Sequence, residues 1–381
     1  MVNLSFTNQN CWPIGLDIGH NTINMVQLAG TGASMKVLAV EKSRIEAGIG
    51  DDVEARNNFI VSAVQKMLTK GKFSGRKVVA ALTNEKLRIT SLRLAQMDEQ
   101  ATKQALRKET AERFGFGSDE DSVDYLVVGQ VNHGEEVKNE LILFAASDQS
   151  IREHIALIEK TGLIPVGIDP IPYALFRSFT RSLRRHEDQE QTMVFIDIGS
   201  RYTTVVFGKA GQISFIKEIP IGGERFDKQI SERLDISPEE AEVLRATLRV
   251  ERSSKAFEKS TDSALSVATA VQQSIDVSTR QAVVDAVGAV AQELAREISL
   301  CFRYYTVTFR GKRVERSIFS GGGAYEDILL NVLKRQLTVE VEIAEPFRGF
   351  NMADVNFSND KRASLCEWAV AVGLGLKAVP E

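Results

Sequence analysis

The hydrophobic pattern of this chain repeats itself about 180 positions apart. Residues 14–28, IGLDIGHNTINMVQL, and residues 194–208, VFIDIGSRYTTVVFG, each run from an apolar strand into Asp-Ile-Gly, then through a polar turn into a second alternating strand. This pattern predicts a β-hairpin in each place, with a carboxylate, a glycine and several hydroxyl or amide groups at its tip. Two copies half a chain apart predict a duplicated fold that closes on a ligand from both sides.

The composition of the two hairpin tips is typical of a phosphate-binding site. Glycine lets the backbone approach a ligand closely, and successive backbone N–H groups in such a turn can bind phosphate oxygens. Asp17 and Asp197 cannot bind phosphate themselves, so we interpret them as facing a Mg²⁺ ion whose water shell lies between carboxylate and phosphate. A single hairpin of this kind can equally be an ordinary turn, and the duplication favours the nucleotide interpretation.

A third segment, residues 317–333, reads as a strand, a glycine turn and a helix. The turn holds three consecutive glycines, Gly321, Gly322 and Gly323, and acidic residues open the helix, where they suit its dipole. Because the glycines have no side chains, a flat adenine ring could lie against their backbone. A strand–turn–helix unit without a ligand is the alternative.

Periodic patterns predict the remaining elements. Helices are predicted over residues 52–70, 98–114, 150–161, 281–306, 326–336 and 362–376, with two more that begin at residues 224 and 237, and strands are predicted over residues 36–40, 78–82, 87–94, 125–130, 140–146, 163–168, 213–219 and 314–319. The polar residues 181–191 read as a connector between two halves. Residues 252–280, rich in Ser, Thr and Gln, read as a loop or a poorly packed helix.

Composition excludes several classes of protein. The chain has 381 residues, of which 43% are hydrophobic and 26% charged, as in a globular protein of two or three domains. A net charge of −4 argues against binding to nucleic acid. Three widely spaced cysteines fit a reducing cytoplasm and predict neither disulfides nor a zinc site. No apolar stretch predicts a signal peptide or a membrane span, so we expect any membrane role to run through a partner.

Taken together, these segments resemble the actin, Hsp70 and sugar-kinase ATPase superfamily and, more narrowly, the PilM family of type IV pilus assembly proteins, which are relatives of FtsA. Besides the two hairpins, the segments that carry the resemblance are GLIPVGIDPIPYALFRSF (162–179), FIKEIPIGGERFDKQI (215–230), AEVLR (241–245), SGGGA (320–324) and EWAVAVGLGLK (367–377). The resemblance implies an α/β, actin-like ATPase fold. Two duplicated ribonuclease-H-like halves would surround a nucleotide cleft, with a small α+β insert in the first half.

The resemblance also implies domain boundaries. The first half would cover residues 12–190 and contain the inserted sub-domain at about 86–166. The second half would cover residues 191–367, with an outer sub-domain at about 226–314. Residues 368–381 would form a C-terminal helix that returns to the first half.

The resemblance assigns site roles residue by residue, with ATP and Mg²⁺ as the ligands. Asp17 and Asp197 would face the metal through water. The remaining implied nucleotide contacts are Gly19, His20, Asn21 and Thr22 in the first phosphate loop, Gly199, Ser200 and Thr203 in the second, Gly321, Gly322 and Gly323 at the adenosine, and Glu242 and Arg245 at the nucleoside. Without the resemblance, Glu242 and Arg245 read as a surface ion pair, because their spacing places them on one helix face.

Two departures from the family pattern bear on hydrolysis. The family often has Lys where this chain has Asn24, so a point positive charge at the phosphates is lost. The family often has Gln or Glu, which orients the attacking water, where this chain has Ile171, and a shift of one or two residues would bring Asp169 there instead. Pro170 and Pro172 are expected to disturb the usual helix start. We therefore expect ATP binding, at most weak ATPase activity, and no assigned catalytic residue.

The leading hypothesis is a cytoplasmic, ATP-binding scaffold of type IV pilus or type II secretion-like assembly. The resemblance implies a partner, the cytoplasmic N-terminal peptide of an inner-membrane PilN-like protein, which would lie in a groove between the first half and the insert. Ile89, Leu92 and Leu94 are candidate groove residues, although each could equally belong to the core of the insert. Pilus motor ATPases and a second copy of the chain are further candidate partners.

Two alternatives remain open at this point. A slow ATPase or small-molecule kinase of the same superfamily would need a general base, for which Asp197 is the one nearby candidate and is better used on metal. An FtsA-like division protein would be expected to end in a basic amphipathic helix, whereas this sequence ends in LKAVPE.

Overall fold

The computed structural model describes residues 11–46, 49, 52–133, 136–180, 191–209, 211–258, 275–309, 314–337, 339–353, 355, 357 and 362–377. Most of the connector predicted at 181–191, and residues 259–274 of the predicted polar stretch, lie outside the described residues. No helix in the described part combines the length and the apolar character needed to cross a bilayer.

The described chain alternates between strands and helices. The strands are β1 Ile14–Ile18, β2 Thr22–Ala29, β3 Lys36–Arg44, β4 Lys77–Leu82, β5 Arg88–Ala95, β6 Ser122–His133, β7 Glu136–Ala146, β8 Ile164–Pro170, β9 Thr192–Ile198, β10 Thr203–Lys209, β11 Gln212–Ile219, β12 Val314–Ser320 and β13 Glu340–Ile343. The α-helices are α1 Val53–Lys70, α2 Glu99–Phe114, α3 Asp148–Lys160, α4 Ile171–Thr180, α5 Gly223–Leu234, α6 Pro238–Glu258, α7 Val277–Thr308, α8 Asp327–Leu337 and α9 Ala369–Gly375. Short 3-10 helices span Gly32–Ser34, Gly322–Tyr325 and Arg362–Trp368.

The duplication suggested by the hairpins extends to two whole sheets. The first sheet has the strand order β3-β2-β1-β4-β8 and the second has the order β11-β10-β9-β12-β13. In each, three antiparallel strands are followed by two parallel ones. The registers are equivalent as well, because Asp17 lies opposite Asn24 and Asp197 lies opposite Thr204. The two aspartates therefore occupy the same position in each half.

The insert is a three-stranded sheet, β5-β7-β6, with α2 on one face, and it runs from Arg88 to Ala146. The expected C-terminal boundary near residue 166 is too late, because β8 pairs with β4 in the first sheet. Ile158 of α3 and Leu163 are buried in the core of the first half, so both segments belong there. Residues 147–166 therefore return to the first half.

The insert packs against the second half although it is joined in sequence to the first. Ile142 and Phe144 of β7 belong to the large hydrophobic cluster of the second half. On the same strand, the buried carboxylate of Glu140 accepts a hydrogen bond from the Tyr304 hydroxyl of α7 at 2.6 Å and pairs with Arg93 at 2.6 Å. This buried contact fixes the insert to α7.

The three candidate groove residues of β5 have different surroundings. Leu92 is 6% exposed and packs with Leu106 and Leu141 beneath α2. Ile89 packs against the cluster of the second half. Leu94 is partly buried and lines a cavity of about 190 Å³ on the insert. Leu92 is thus a core residue, whereas Leu94 borders an open cavity.

The C-terminal helix packs directly onto the first half. A Cβ atom at Gly373 would lie 1.8 Å from the carbonyl oxygen of Ala174 in α4, and one at Gly15 would lie 2.1 Å from that of Ala371. Only glycine permits this approach of α9 to α4 and β1. The predicted helix over 362–376 is divided in the structure into a 3-10 turn and α9.

Asp169 ties the same helix to the first sheet. Its buried carboxylate pairs with Lys377 at 2.5 Å and with Arg177 at 2.9 Å. The helix α4 begins at Ile171, directly after the strand, so the expectation that the flanking prolines disturb the helix start is wrong. The physical reason is that Pro172 lies in the first turn, where a missing N–H is no loss.

Candidate functional site

A cavity of about 1070 Å³ lies where the two hairpins face each other. The residues predicted at the site that line this cavity are Asp17, Gly19, His20, Asn21, Thr22, Asp197, Gly199, Ser200, Glu242, Arg245, Gly321, Gly322 and Gly323. Thr203 is the exception, because its hydroxyl is buried and donates to the Ile221 carbonyl at 2.7 Å. Its register position is equivalent to that of the core residue Ile23, and the neighbouring Thr204 lines the cavity.

The two hairpin turns have the same backbone geometry. The Gly19 N–H donates to the Thr22 carbonyl at 2.8 Å, and the Gly199 N–H donates to the Tyr202 carbonyl at 2.9 Å. Each bond closes a tight turn directly after the aspartate-bearing strand, and both turns line the cavity. The two tips therefore present equivalent stretches of backbone to the same space.

The two turns are supported by different groups. In the first, the guanidinium of Arg56 on α1 donates to the carbonyls of Gly19 and His20 at 2.8 and 2.9 Å. In the second, the two equivalent carbonyls accept the backbone N–H groups of Gly223 and Glu224 at the start of α5, both at 2.9 Å. The sequence pattern did not identify Arg56, because it lies 36 positions from His20.

The two aspartates are half-buried in the cavity wall, and each contacts a neighbouring strand. Burial, and then the charge of Asp197, raises the pKa of Asp17 to about 7, against a hydrogen bond from the Asn24 side chain that lowers it. Burial also raises the pKa of Asp197 to about 6, with a smaller contribution from Glu367, while the Ser320 hydroxyl donates to Asp197 at 2.8 Å and lowers it. Two half-buried carboxylates that repel each other favour a cation between them.

The donor set fits a hydrated magnesium ion. The described residues contain no group of three or more His, Cys, Asp or Glu side chains placed to hold a metal directly. Two carboxylates and the side chain of Asn24 line the cavity instead, and the Asn24 amide oxygen is buried without a hydrogen-bond partner in the described chain. Oxygen atoms are the ligands that Mg²⁺ prefers, and this ion usually keeps several of its waters.

Ion pairs connect the halves across the cavity. His20 Nε2 lies 2.9 Å from Glu224 Oε1, and Arg44 of β3 pairs with Glu242 of α6. Burial alone would raise the pKa of Glu224, but the hydrogen bond and charge of His20 and the charge of Arg201 hold this pKa below its ordinary value. Glu242 therefore pairs with a residue of the other half, whereas the interpretation without the family resemblance is a surface ion pair with the arginine at position 245.

Arg245 is held inside the second half. Its guanidinium donates to both carboxylate oxygens of Asp227 at 2.7 and 2.9 Å, and it lies 3.8 Å from Glu326. Arg245 and Asp227 both line the cavity, so this pair forms a rigid, charged wall on the side of the glycine turn. A bidentate arginine–carboxylate pair has a fixed geometry that a lysine would not reproduce.

The glycine turn needs glycine at two of its three positions. Gly321 has a positive φ of 80°, and a Cβ there would lie 2.5 Å from the Ile198 carbonyl oxygen. A Cβ at Gly323 would lie 2.2 Å from the Ile198 side chain. No described atom lies within 4 Å of the corresponding position at Gly322, which faces open space. The turn therefore packs on the second aspartate strand and leaves a bare backbone surface.

The two positions weighed for hydrolysis are separated by the fold. Ile171 lines the cavity at the first residue of α4. Asp169 is held by Lys377 and Arg177 and is not among the residues that line the cavity. The alternative alignment that would bring Asp169 to the site is therefore wrong.

The fold and the site define a protein with an actin-like ATPase fold. Over 96% of this chain and 89% of the other, the structure is similar to the ethanolamine utilization protein EutJ from Carboxydothermus hydrogenoformans, with a TM-score of 0.52 and 14% identity. It is more similar to a structure described as the PilM-PilN type IV pilus biogenesis complex, with a TM-score of 0.75 and 20% identity over 97% of this chain and 99% of that one.

Residues 15–287 and 279–379 match the family model of the type IV pilus assembly protein PilM. The chain belongs to this family. The resemblance inferred from the two hairpins, the glycine turn and the final helix is thereby confirmed at the level of family and fold.

Proposed function

We propose that this protein is a cytoplasmic scaffold of type IV pilus assembly that binds ATP with Mg²⁺ in the cavity between its two halves. The observation that carries the proposal is the convergence on one cavity of the glycine turn and two equivalent hairpins, each with a half-buried aspartate whose pKa is raised. The backbone N–H groups of the turns would hold the phosphates, and the bare backbone at Gly322 would accept the base. Asp17 and Asp197 would hold the metal through its waters, and bound Mg²⁺ would neutralise phosphate charge.

We further propose that the nucleotide is held rather than turned over. Ile171 lines the cavity where a water-orienting group would be needed, and an isoleucine side chain cannot accept a proton. The nucleotide would instead favour the closed arrangement of the halves, with the pairs His20–Glu224 and Arg44–Glu242 closing together. A ligand that contacts both halves stabilises the state in which they are close.

The proposed partner is the cytoplasmic N-terminal peptide of an inner-membrane PilN-like protein, in keeping with the PilM-PilN complex to which the chain is similar. The lining of the cavity also includes Val53 and Ile60 of α1, Leu157 of α3, and Lys86 just before the insert, and we call the part lined by these four residues the arm. Val53 is 70% exposed there, which supports a protein partner on this apolar rim. We place the peptide groove in this arm, between the first half and the base of the insert.

Nucleotide binding is tested by the melting temperature of protein freed of nucleotide, with and without Mg-ATP. A ligand that binds only the folded state must raise the melting temperature. We expect a rise of several degrees that is lost in Asp17→Ala and retained in Asp119→Ala, a control whose side chain is fully exposed. No rise in the unsubstituted protein would exclude the ATP site.

Peptide docking is tested by titrating the protein with a synthetic N-terminal peptide of the PilN-like protein from the same genome. Leu157→Glu places a charge in the proposed arm, whereas Leu94→Glu places one beside the cavity on the insert. We expect the first substitution to abolish binding and the second to leave it unchanged. The reverse result would move the groove to the insert.

A further inference from the structure

Asn24 is a buried polar residue on a strand, and its side-chain oxygen has no hydrogen-bond partner in the described part of the chain. It lies on β2 directly opposite Asp17, is 2% exposed and lines the cavity. The side chain of Asn24 lowers the pKa of the Asp17 carboxyl, as an amide N–H donor does. The amide oxygen of Asn24 is buried and has no hydrogen-bond partner among the described residues.

The described neighbours of Asn24 do not satisfy this oxygen. Asp17 and Asp197, when ionised, can only accept hydrogen bonds. Lys42 lies opposite Asn24 on β3, but its ammonium group is 2.6 Å from Glu367. A buried acceptor without a partner is unfavourable and rare in native proteins. A donor that enters the cavity with a ligand would satisfy it.

We propose that Asn24 is the third oxygen of an outer-sphere magnesium site. Its amide oxygen accepts a hydrogen bond from a metal-bound water, beside the waters that donate to Asp17 and Asp197. This inference rests on the proposed binding of Mg-ATP. It goes beyond that proposal because it assigns a function to Asn24, which stands where the family often has lysine. A lysine would repel the ion, whereas a neutral amide keeps the full charge of both carboxylates available to it.

The alternative is a purely structural role, in which Asn24 only orients Asp17. Ser320 provides the matched control, because its hydroxyl orients Asp197 from the other neighbouring strand in the same way. Among the buried side-chain atoms without a partner in the described chain, the Asn24 oxygen is present and the Ser320 oxygen is not. Asn24→Leu therefore removes an orienting donor and a metal-facing acceptor, whereas Ser320→Ala removes the orienting group alone.

The first experiment is a titration of the ADP-bound protein with Mn²⁺, followed by the electron paramagnetic resonance signal of the free ion. We expect Asn24→Leu to weaken Mn²⁺ binding about tenfold, as loss of an outer-shell partner does at other metal sites. Ser320→Ala should change it much less, and ADP affinity without metal should stay the same in both. Equal losses in the two variants, or no loss in Asn24→Leu, would overturn the proposal.

The second experiment uses the unsubstituted protein and does not depend on the folding of a variant. Cobalt(III) hexammine has the size of hydrated Mg²⁺ but does not exchange its ligands, so it binds only through its outer shell. We expect it to replace Mg²⁺ in raising the affinity for ADP. Failure of the hexammine where Mg²⁺ succeeds would show direct coordination and overturn the proposal, whereas no binding of ADP under any condition would overturn the nucleotide function itself.

Discussion

The two hairpins have the same turn but different supports. Both close with one short backbone hydrogen bond after the aspartate strand, at 2.8 and 2.9 Å. The first turn is held by one long side chain, Arg56, whereas the second is held by the backbone at the start of α5. The same turn shape is thus stabilised in the first half by a side chain and in the second half by the backbone itself. The first half should be the one that substitutions can loosen.

A second difference lies in the strands beside each aspartate. Asp17 is oriented by Asn24 on the antiparallel neighbour, and Asp197 by Ser320 on the parallel neighbour. One strand further out, Lys42 in the first half is equivalent in register to Glu218 in the second. The duplicated backbone therefore carries a basic and an acidic residue at equivalent positions, and Lys42, unlike Glu218, is among the residues that line the cavity.

The largest expected effect comes from breaking the backbone support of the second turn. A Cβ at Gly222 would lie 2.4 Å from the Ser200 carbonyl oxygen, so Gly222→Ala must push α5 away from the turn. We expect a loss of about 3 kcal/mol in the free energy of unfolding, measured in urea. Gly211→Ala, which has open space but a positive φ, is the control for loss of a glycine. Equal losses in the two variants would show that the close contact between α5 and the second turn does not contribute to stability.

Removing the side-chain support of the first turn should have the next largest effect. Arg56→Ala leaves two carbonyls without their donor, and we expect a loss of about 2 kcal/mol. Hydrogen exchange should quicken at residues 19–22 and not at residues 199–202. Arg56→Lys should rescue little, because an ammonium cannot reproduce the planar geometry that spans both carbonyls. Equal increases in hydrogen exchange at the two turns would contradict the idea that Arg56 supports the first turn alone.

The acidic residue on the third strand of the second half predicts a pH effect on stability. Burial, and then the charge of Glu85, raises the pKa of Glu218 from 4.5 to about 8. The folded state therefore keeps a proton that the unfolded state loses above pH 4.5, so stability falls between about pH 4.5 and 8. Glu218→Gln should remove this fall and stabilise the protein by about 1.5 kcal/mol at pH 8.

Two pH controls separate this effect from others. Well below pH 4.5 the unsubstituted protein and Glu218→Gln should have the same midpoint in urea, because Glu218 is then protonated in the folded and in the unfolded state. Glu85→Gln should give a smaller gain at pH 8, since the charge of Glu85 is the second cause of the shift. An equal gain from Glu218→Gln at both pH values would rule out titration as the cause.

The local features of this fold were predictable from sequence, and the distant ones were not. Asp98 caps α2 and Ser237 caps α6 as their positions indicate, because capping depends on residues three apart. Thr203 was expected at the nucleotide, but its side chain points into the core and the next residue lines the cavity. Side chains alternate between the two faces of a strand, and the sequence of the turn does not show which face the first strand residue takes. Arg44 and Glu242 lie 198 positions apart, so only the folded chain brings them together.

The same reasoning applies to the end of the insert. The segment after β7 has the helix and strand patterns of a continuing sub-domain, and sequence alone does not show which sheet the strand joins. The buried residues of α3 and of the segment before β8 pack in the core of the first half, whereas Ile142 and Phe144 of β7 pack in the core of the second half. Such partitioning depends on which surfaces are complementary in three dimensions.

The smallest expected effect concerns the contact between the two turns themselves. His20 in the first turn pairs with Glu224 at the start of α5, the helix that supports the second turn. This pair therefore connects the two turns. Both side chains are partly exposed, and we expect His20→Gln to cost about 0.5 kcal/mol. Asn21→Gln, at the neighbouring tip position, is the control. The loss should shrink at high salt, because salt screens an ion pair between partly exposed side chains. A salt-independent loss would mean that His20 acts by packing, and the two turns would then be independent.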